Sequence, residues 1–194
     1  IHDRTARRVF GSDNRLDPHE LRRRAKIINY ALLYGKTAYT LAKDIRVTPQ
    51  AAQEFIDAYF EGFPSVRMFI EQTLSEARET GAVNTMFNRR RQFPELSSHN
   101  HRVRSAAERA AINMPIQGTA ADILKRAMID IHAALPPDSS MILTVHDELL
   151  FEVPTEKATE VANFVRDRME NAVLLAVPLT VDIGIGKNWK EAKG

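Results

Sequence analysis

The stretch RRRAKIINYALLYG, Arg22 to Gly35, decides how this chain is read, because it sets cations and tyrosines into an otherwise ordinary buried helix. Ahead of it, Asp17 is suited to an N-cap, Pro18 to the first helical position and Glu20 to the third residue after the cap; Gly35 offers a C-terminal stop. The pattern predicts a helix over Pro18 to Tyr34. At about 100° per residue, Leu21, Ala25, Ile28 and Leu32 form a core-facing stripe. Arg22, Arg23, Lys26, Tyr30 and Tyr34 fall on the other side, and the spacing of 22, 26, 30 and 34 makes a ladder along the helix. Cations followed by flat hydroxylated rings match a phosphate chain attached to a sugar and base, the order found in a nucleotide. The same residues also suit a solvated charged face edged by tyrosines, so the rest of the chain has to decide.

The whole chain has 194 residues, 44% hydrophobic and 27% charged, a composition that builds a folded core. Its net charge is only +2, so any argument for a polyanionic partner rests on local clusters. Cysteine is absent, which excludes disulfides, thiolate-ligated zinc and thiol nucleophiles and fits a reducing, cytoplasmic setting. No apolar run reaches the roughly 18 residues needed to span a bilayer, and no membrane partner is expected. The opening IHDRTARRVFG begins in mid-pattern, with Val9 and Phe10 already amphipathic, and is read as an excerpt from a longer polypeptide.

Helical periodicity dominates to about Leu135, broken by turn signals at GSDNRLDP, RVTP, EGFP and NRRRQFPELSSHN. After LPPDSS come three short β-rich runs, MILTV, LLFEV and PLTVDIGI, with an amphipathic helix from about Glu156 to Leu174 between the last two. The order predicts an α+β fold in which a helical lobe leads into a sheet-bearing one.

Two further constellations bear on chemistry. In TVHDELLFEVP an apolar strand halts at His146, Asp147 and Glu148 and resumes at Leu149, which puts the acidic pair at the tip of a tight hairpin. Adjacent carboxylates repel unless a cation lies beside them, so a hard divalent ion such as Mg²⁺ is a natural partner. Aspartate is also simply common in turns. In ERAAINMPIQGTAADILKRAMIDI, Arg109, Asn113 and Gln117 recur every fourth position of an apolar helix that Pro115 and Gly118 should bend. These residue types hydrogen-bond base edges and sugars, although bridging neighbouring helices would use them equally well. The loop NRRRQFP offers Arg89, Arg90 and Arg91 to backbone phosphates, while GIGKNW lacks the third glycine and following helix of a dinucleotide loop.

Taken in order, RRRAKIINYALLYG, ERAAINMPIQGTAAD and VHDELLFEVP resemble the C-terminal part of a family A DNA polymerase, the DNA polymerase I family, over nearly the whole chain. The resemblance implies a helical fingers lobe over residues 1–84 and the C-terminal part of an antiparallel-sheet palm over 85–194. The polymerase domain would be incomplete, with the thumb and first palm strand absent. It implies dNTP binding by His2, Arg22, Lys26 and Tyr30, with Lys26 donating a proton to the leaving pyrophosphate. Tyr34 would stack near the templating base; Arg109, Asn113 and Gln117 would follow the primer-template DNA; His146 would contact the primer end. Asp147 would bind catalytic Mg²⁺ with Glu148 close by. Such chemistry needs charge neutralisation and in-line positioning rather than covalent help.

Position 30 is Tyr where many relatives carry Phe, which implies tolerance of dideoxynucleotides. Ala31 replaces a common Gly and should stiffen the helix by up to about 1 kcal/mol. The second metal-binding Asp of the family would lie upstream, so these 194 residues are not expected to polymerise alone, and should aggregate, dimerise or stay bound to the remaining polymerase chain. Single-subunit RNA polymerases share the cationic helix ending in YG and an HD hairpin, and a non-catalytic DNA-binding module derived from the family is the other alternative.

Overall fold

A computed structural model describes residues 2–11 and 17–193. The centre of the GSDNRLDP turn signal, residues 12–16, lies outside them. The fold is α+β and mostly helical, with small antiparallel sheets. Packing divides the chain into two compact units, Ile1–Gly118 and Thr119–Gly194. The division falls later than the 84/85 functional boundary expected from sequence, because the segment after residue 84 packs back onto the helix before it.

The first unit opens with α1 (His2–Phe10) and α2 (Pro18–Leu33), followed by α3 (Ala38–Ile45), α4 (Pro49–Gly62) and α5 (Pro64–Thr80). Asp17 caps α2 as expected, its carboxylate accepting from the backbone N–H groups of His19 and Glu20. The Glu20 side chain does not return to the cap: it holds Arg23 and Arg24. Thr48 caps α4 ahead of Pro49, and Arg46 closes α3 in the left-handed region, which accounts for the RVTP signal. Helix α1 packs on α2 and α4, and α3 on α4. Ile28, Leu41 and Ile45 are wholly buried at the centre of this core, each contributing about 1.5–3 kcal/mol of transfer free energy.

The chain continues through β1 (Ala82–Asn84), β2 (Arg90–Gln92), a 3₁₀ turn at Pro94–Ser97 and α6 (His101–Asn113). Arg90 and Arg91 therefore stand on a strand paired with β1 rather than in a loop. The buried Phe93 ring anchors that strand, with the Arg91 guanidinium 5.0 Å from its centroid. Phe93, Val83, Ala77 and Met114 share a second core cluster with α6 residues Ala107 and Ala111. After α6 the backbone winds as a π-turn over Met114–Gly118, where Pro115 cannot donate a helical hydrogen bond.

In the second unit, α7 (Thr119–Ala134) and α8 (Ala158–Glu170) flank a hairpin of β3 (Ser140–Val145) and β4 (Glu148–Glu152). Its core joins Ala127 and Ile131 to Val161 and Val165, with Met141, Leu149 and Phe151 against them. Helix α8 is shorter than the expected span, because Thr155–Lys157 winds as 3₁₀ and Asn171 bonds back to Asp167 at the other end. The run PLTVDIGI forms no strand. Val181 N–H bonds to the Glu170 carboxylate, and Gly184 lies so close to the Ala192 backbone in α9 (Trp189–Lys193) that a Cβ would overlap it. Among the described residues, no strand pairs with this run.

Candidate nucleotide, template and metal-binding residues

Helix α2 builds the first part of the site. Ala25, Ile28, Ala31 and Leu32 are buried, while Leu21 of the expected stripe is half-buried. The opposite line is exposed from Arg22 through Lys26 and Tyr30 to Tyr34. The two tyrosine rings lie stacked, 6.4 Å apart at 11°, and the His2 ring stands 6.1 Å from that of Tyr30. Helix α1 thus brings His2 beside the ladder.

Charges on this face are partly spoken for. Glu20 binds Arg23 and Arg24, and those hydrogen bonds depress its carboxyl pKa to about 2. Arg22 is paired with Asp3, which the sequence pattern did not single out, and that hydrogen bond lowers the Asp3 pKa. Lys26 makes no hydrogen bond or ion pair among the described residues. Burial lowers the pKa of His2, with the Arg22 and Lys26 charges acting in the same direction and Asp3 opposing them.

Gly35 ends α2 at φ 64°, a conformation suited to residues without a side chain. A Cβ there would meet the Arg109 Cγ at 3.0 Å, so the glycine also lets the stem of Arg109 lie against the helix end. Asn113 and Gln117 line one open cleft of about 420 Å³ together with Arg91, Ala110, Met114 and Gly118. Arg109 does not line it. Arg91 joins the cleft from β2, a meeting that residues 22 positions apart in sequence do not announce.

In the second unit the tip is tighter than expected. Glu148 is the first residue of β4 and pairs with Val145, leaving His146 and Asp147 as the two-residue turn. His146 adopts φ 56°. Asp147 is exposed, and its side chain has no hydrogen bond or ion pair among the described residues. Glu148 is held by Lys193, its Oε1 accepting from Nζ at 2.7 Å, and that bond holds its pKa below the usual carboxylate value. Sequence periodicity gives no sign of this contact, because α9 is five residues long.

The family model for DNA polymerase family A matches residues 1–191. The chain is 47% identical over 194 residues to the thermostable DNA polymerase I of Thermus filiformis and 46% identical to that of Thermus aquaticus; in each comparison it is covered in full and spans 23% of the relative. It also superimposes on the POL domain of Pol1 from M. smegmatis in complex with DNA primer-template and dNTP. That match has a TM-score of 0.88 and 42% identity, and covers 100% of this chain and 35% of that one. The chain belongs to DNA polymerase family A.

Proposed function

We propose that the chain is the fingers-and-palm portion of a template-directed DNA polymerase that transfers a deoxynucleoside monophosphate from a dNTP to a primer 3′-OH by two-metal catalysis. The observation that carries this reading is the exposed alignment of Arg22, Lys26, Tyr30 and Tyr34 on α2, with His2 beside it. Residues 1–84 act as fingers and 85–194 as the C-terminal part of the palm. Arg22, Lys26 and His2 bind the triphosphate, and Lys26 gives a proton to the departing pyrophosphate. Tyr30 packs beside the sugar, and its hydroxyl stands in for a missing 3′-OH, so dideoxynucleotides are accepted. Tyr34 stacks by the templating base, Arg109, Asn113 and Gln117 follow the primer-template, and His146 meets the primer end.

The donor chemistry at the hairpin fits a hard divalent ion: Asp147 offers an exposed carboxylate unengaged among the described residues, and Glu148 adds a second whose charge Lys193 balances. Mg²⁺ held there would lower the barrier by neutralising charge on the phosphates and primer oxygen. The protein side chains align the triphosphate and primer. The remaining carboxylate of such a site comes from the rest of the polymerase chain, and the role is in DNA replication and repair in the bacterial cytoplasm, at the nucleoid. Among the described residues, no helix is long and apolar enough to cross a membrane.

Primer extension tests the reading. The polymerase containing this segment is expected to extend a primer with dNTPs in Mg²⁺ and to lose that activity on Lys26→Ala. The isolated 194-residue chain is expected to show none. Metal-dependent extension by that chain alone would overturn the two-part site, and unaffected Lys26→Ala would overturn the role of α2.

A further inference from the structure

Between α1 and α2 lies a polar contact that packing does not require. Thr5 is wholly buried and Asn29 is 5% exposed, and the two face each other. Asn29 Nδ2 is 3.0 Å from Thr5 Oγ1, and that hydroxyl is 3.1 Å from Asn29 Oδ1. The same Nδ2 lies 3.0 Å from His2 Nδ1. Asn29 lies on the buried side of the helix with Ala25, Ile28 and Leu32. An aliphatic residue would occupy such a position without desolvating an amide.

The bond to His2 gives the amide something to do. An amide nitrogen only donates, so His2 Nδ1 accepts and the proton of the neutral ring sits on Nε2. The ring carries a single N–H donor on its other nitrogen and is held in plane by a partner that Thr5 holds in turn. The lowered pKa of His2 keeps this neutral form populated.

We infer that Asn29 is a positioning residue for the nucleotide site: its hydrogen bond to Nδ1 fixes the His2 tautomer and ring plane, so that Nε2–H donates to a phosphate oxygen of the triphosphate beside Arg22 and Lys26. This rests on the nucleotide reading of α2 given above. Asn29 touches no substrate and acts through the imidazole.

The test is a double-mutant cycle in the polymerase containing this segment, with dNTP KM and kcat measured by single-nucleotide primer extension. His2→Ala and Asn29→Leu are each expected to raise KM about fivefold with kcat within about twofold, and the double variant to be no worse than His2→Ala. Asn29→Ala repeats the cycle where the leucine variant fails to fold. If the Asn29 substitution raises KM by the same factor with and without His2, or leaves it unchanged, Asn29 is only part of the scaffold and the inference falls. If His2→Ala alone leaves KM unchanged, the nucleotide role of His2 fails first and takes the Asn29 assignment with it.

Discussion

His146→Gly should make the protein more stable and the polymerase worse. His146 sits at φ 56°, where a residue with a Cβ pays about 1–2 kcal/mol. Glycine removes that strain but returns about 0.5–1 kcal/mol through the greater freedom of the unfolded chain. The imidazole is exposed and makes no hydrogen bond or ion pair among the described residues, so its removal forfeits little. The expected net gain is up to about 1.5 kcal/mol, or up to about 6 °C in the thermal midpoint for a domain of this size. His146→Ala, which keeps the strain and loses the ring, should melt with the wild type. Both should slow primer extension, because both remove the side chain proposed to meet the primer end. Differential scanning calorimetry and extension assays on the same preparations separate the effects. A glycine variant melting at or below the wild type refutes the strain argument, and unimpaired extension by both refutes the primer contact.

Asp147→Asn should leave the unfolding free energy within about 0.5 kcal/mol of wild type while reducing primer extension on the order of 10³-fold, measured in the complete polymerase. Ile28→Ala should cost about 2–5 kcal/mol in denaturant unfolding, because Ile28 is wholly buried in the first core. Glu20 has a folded pKa of about 2 against an ordinary 4.5, so its contribution to stability is present above pH 4.5 and disappears as pH falls toward 2. Over that window Glu20→Gln should show a shallower loss of stability than the wild type in acid titrations followed by circular dichroism.

Helix α2 was legible because its signals are local. A capping aspartate, a proline at the start and apolar residues every third or fourth position all lie within one stretch, and the exposed ladder follows from helix geometry. The β3–β4 hairpin was legible for the same reason, apart from Glu148, whose place on the strand depends on register. The run PLTVDIGI has strand-like composition, but a strand also needs a neighbouring edge to pair with, and no local pattern reports whether the fold supplies one. Asn29 stands beside the apolar stripe of α2 and carries no local signal of its own. Its meaning comes from Thr5 and His2, 24 and 27 positions away, and pairings at that range require the fold. Asp3 on Arg22 and Lys193 on Glu148 were hidden in the same way.

The carboxylate of Asp3 already occupies the guanidinium of Arg22. An arriving triphosphate, on the reading proposed here, would therefore evict a tenant rather than enter a vacant berth, and the affinity harvested at that arginine is a difference between two anions. On the proposed role of α2, neutralising position 3 would leave Arg22 open to the incoming anion and would also remove the one charge that raises the His2 pKa.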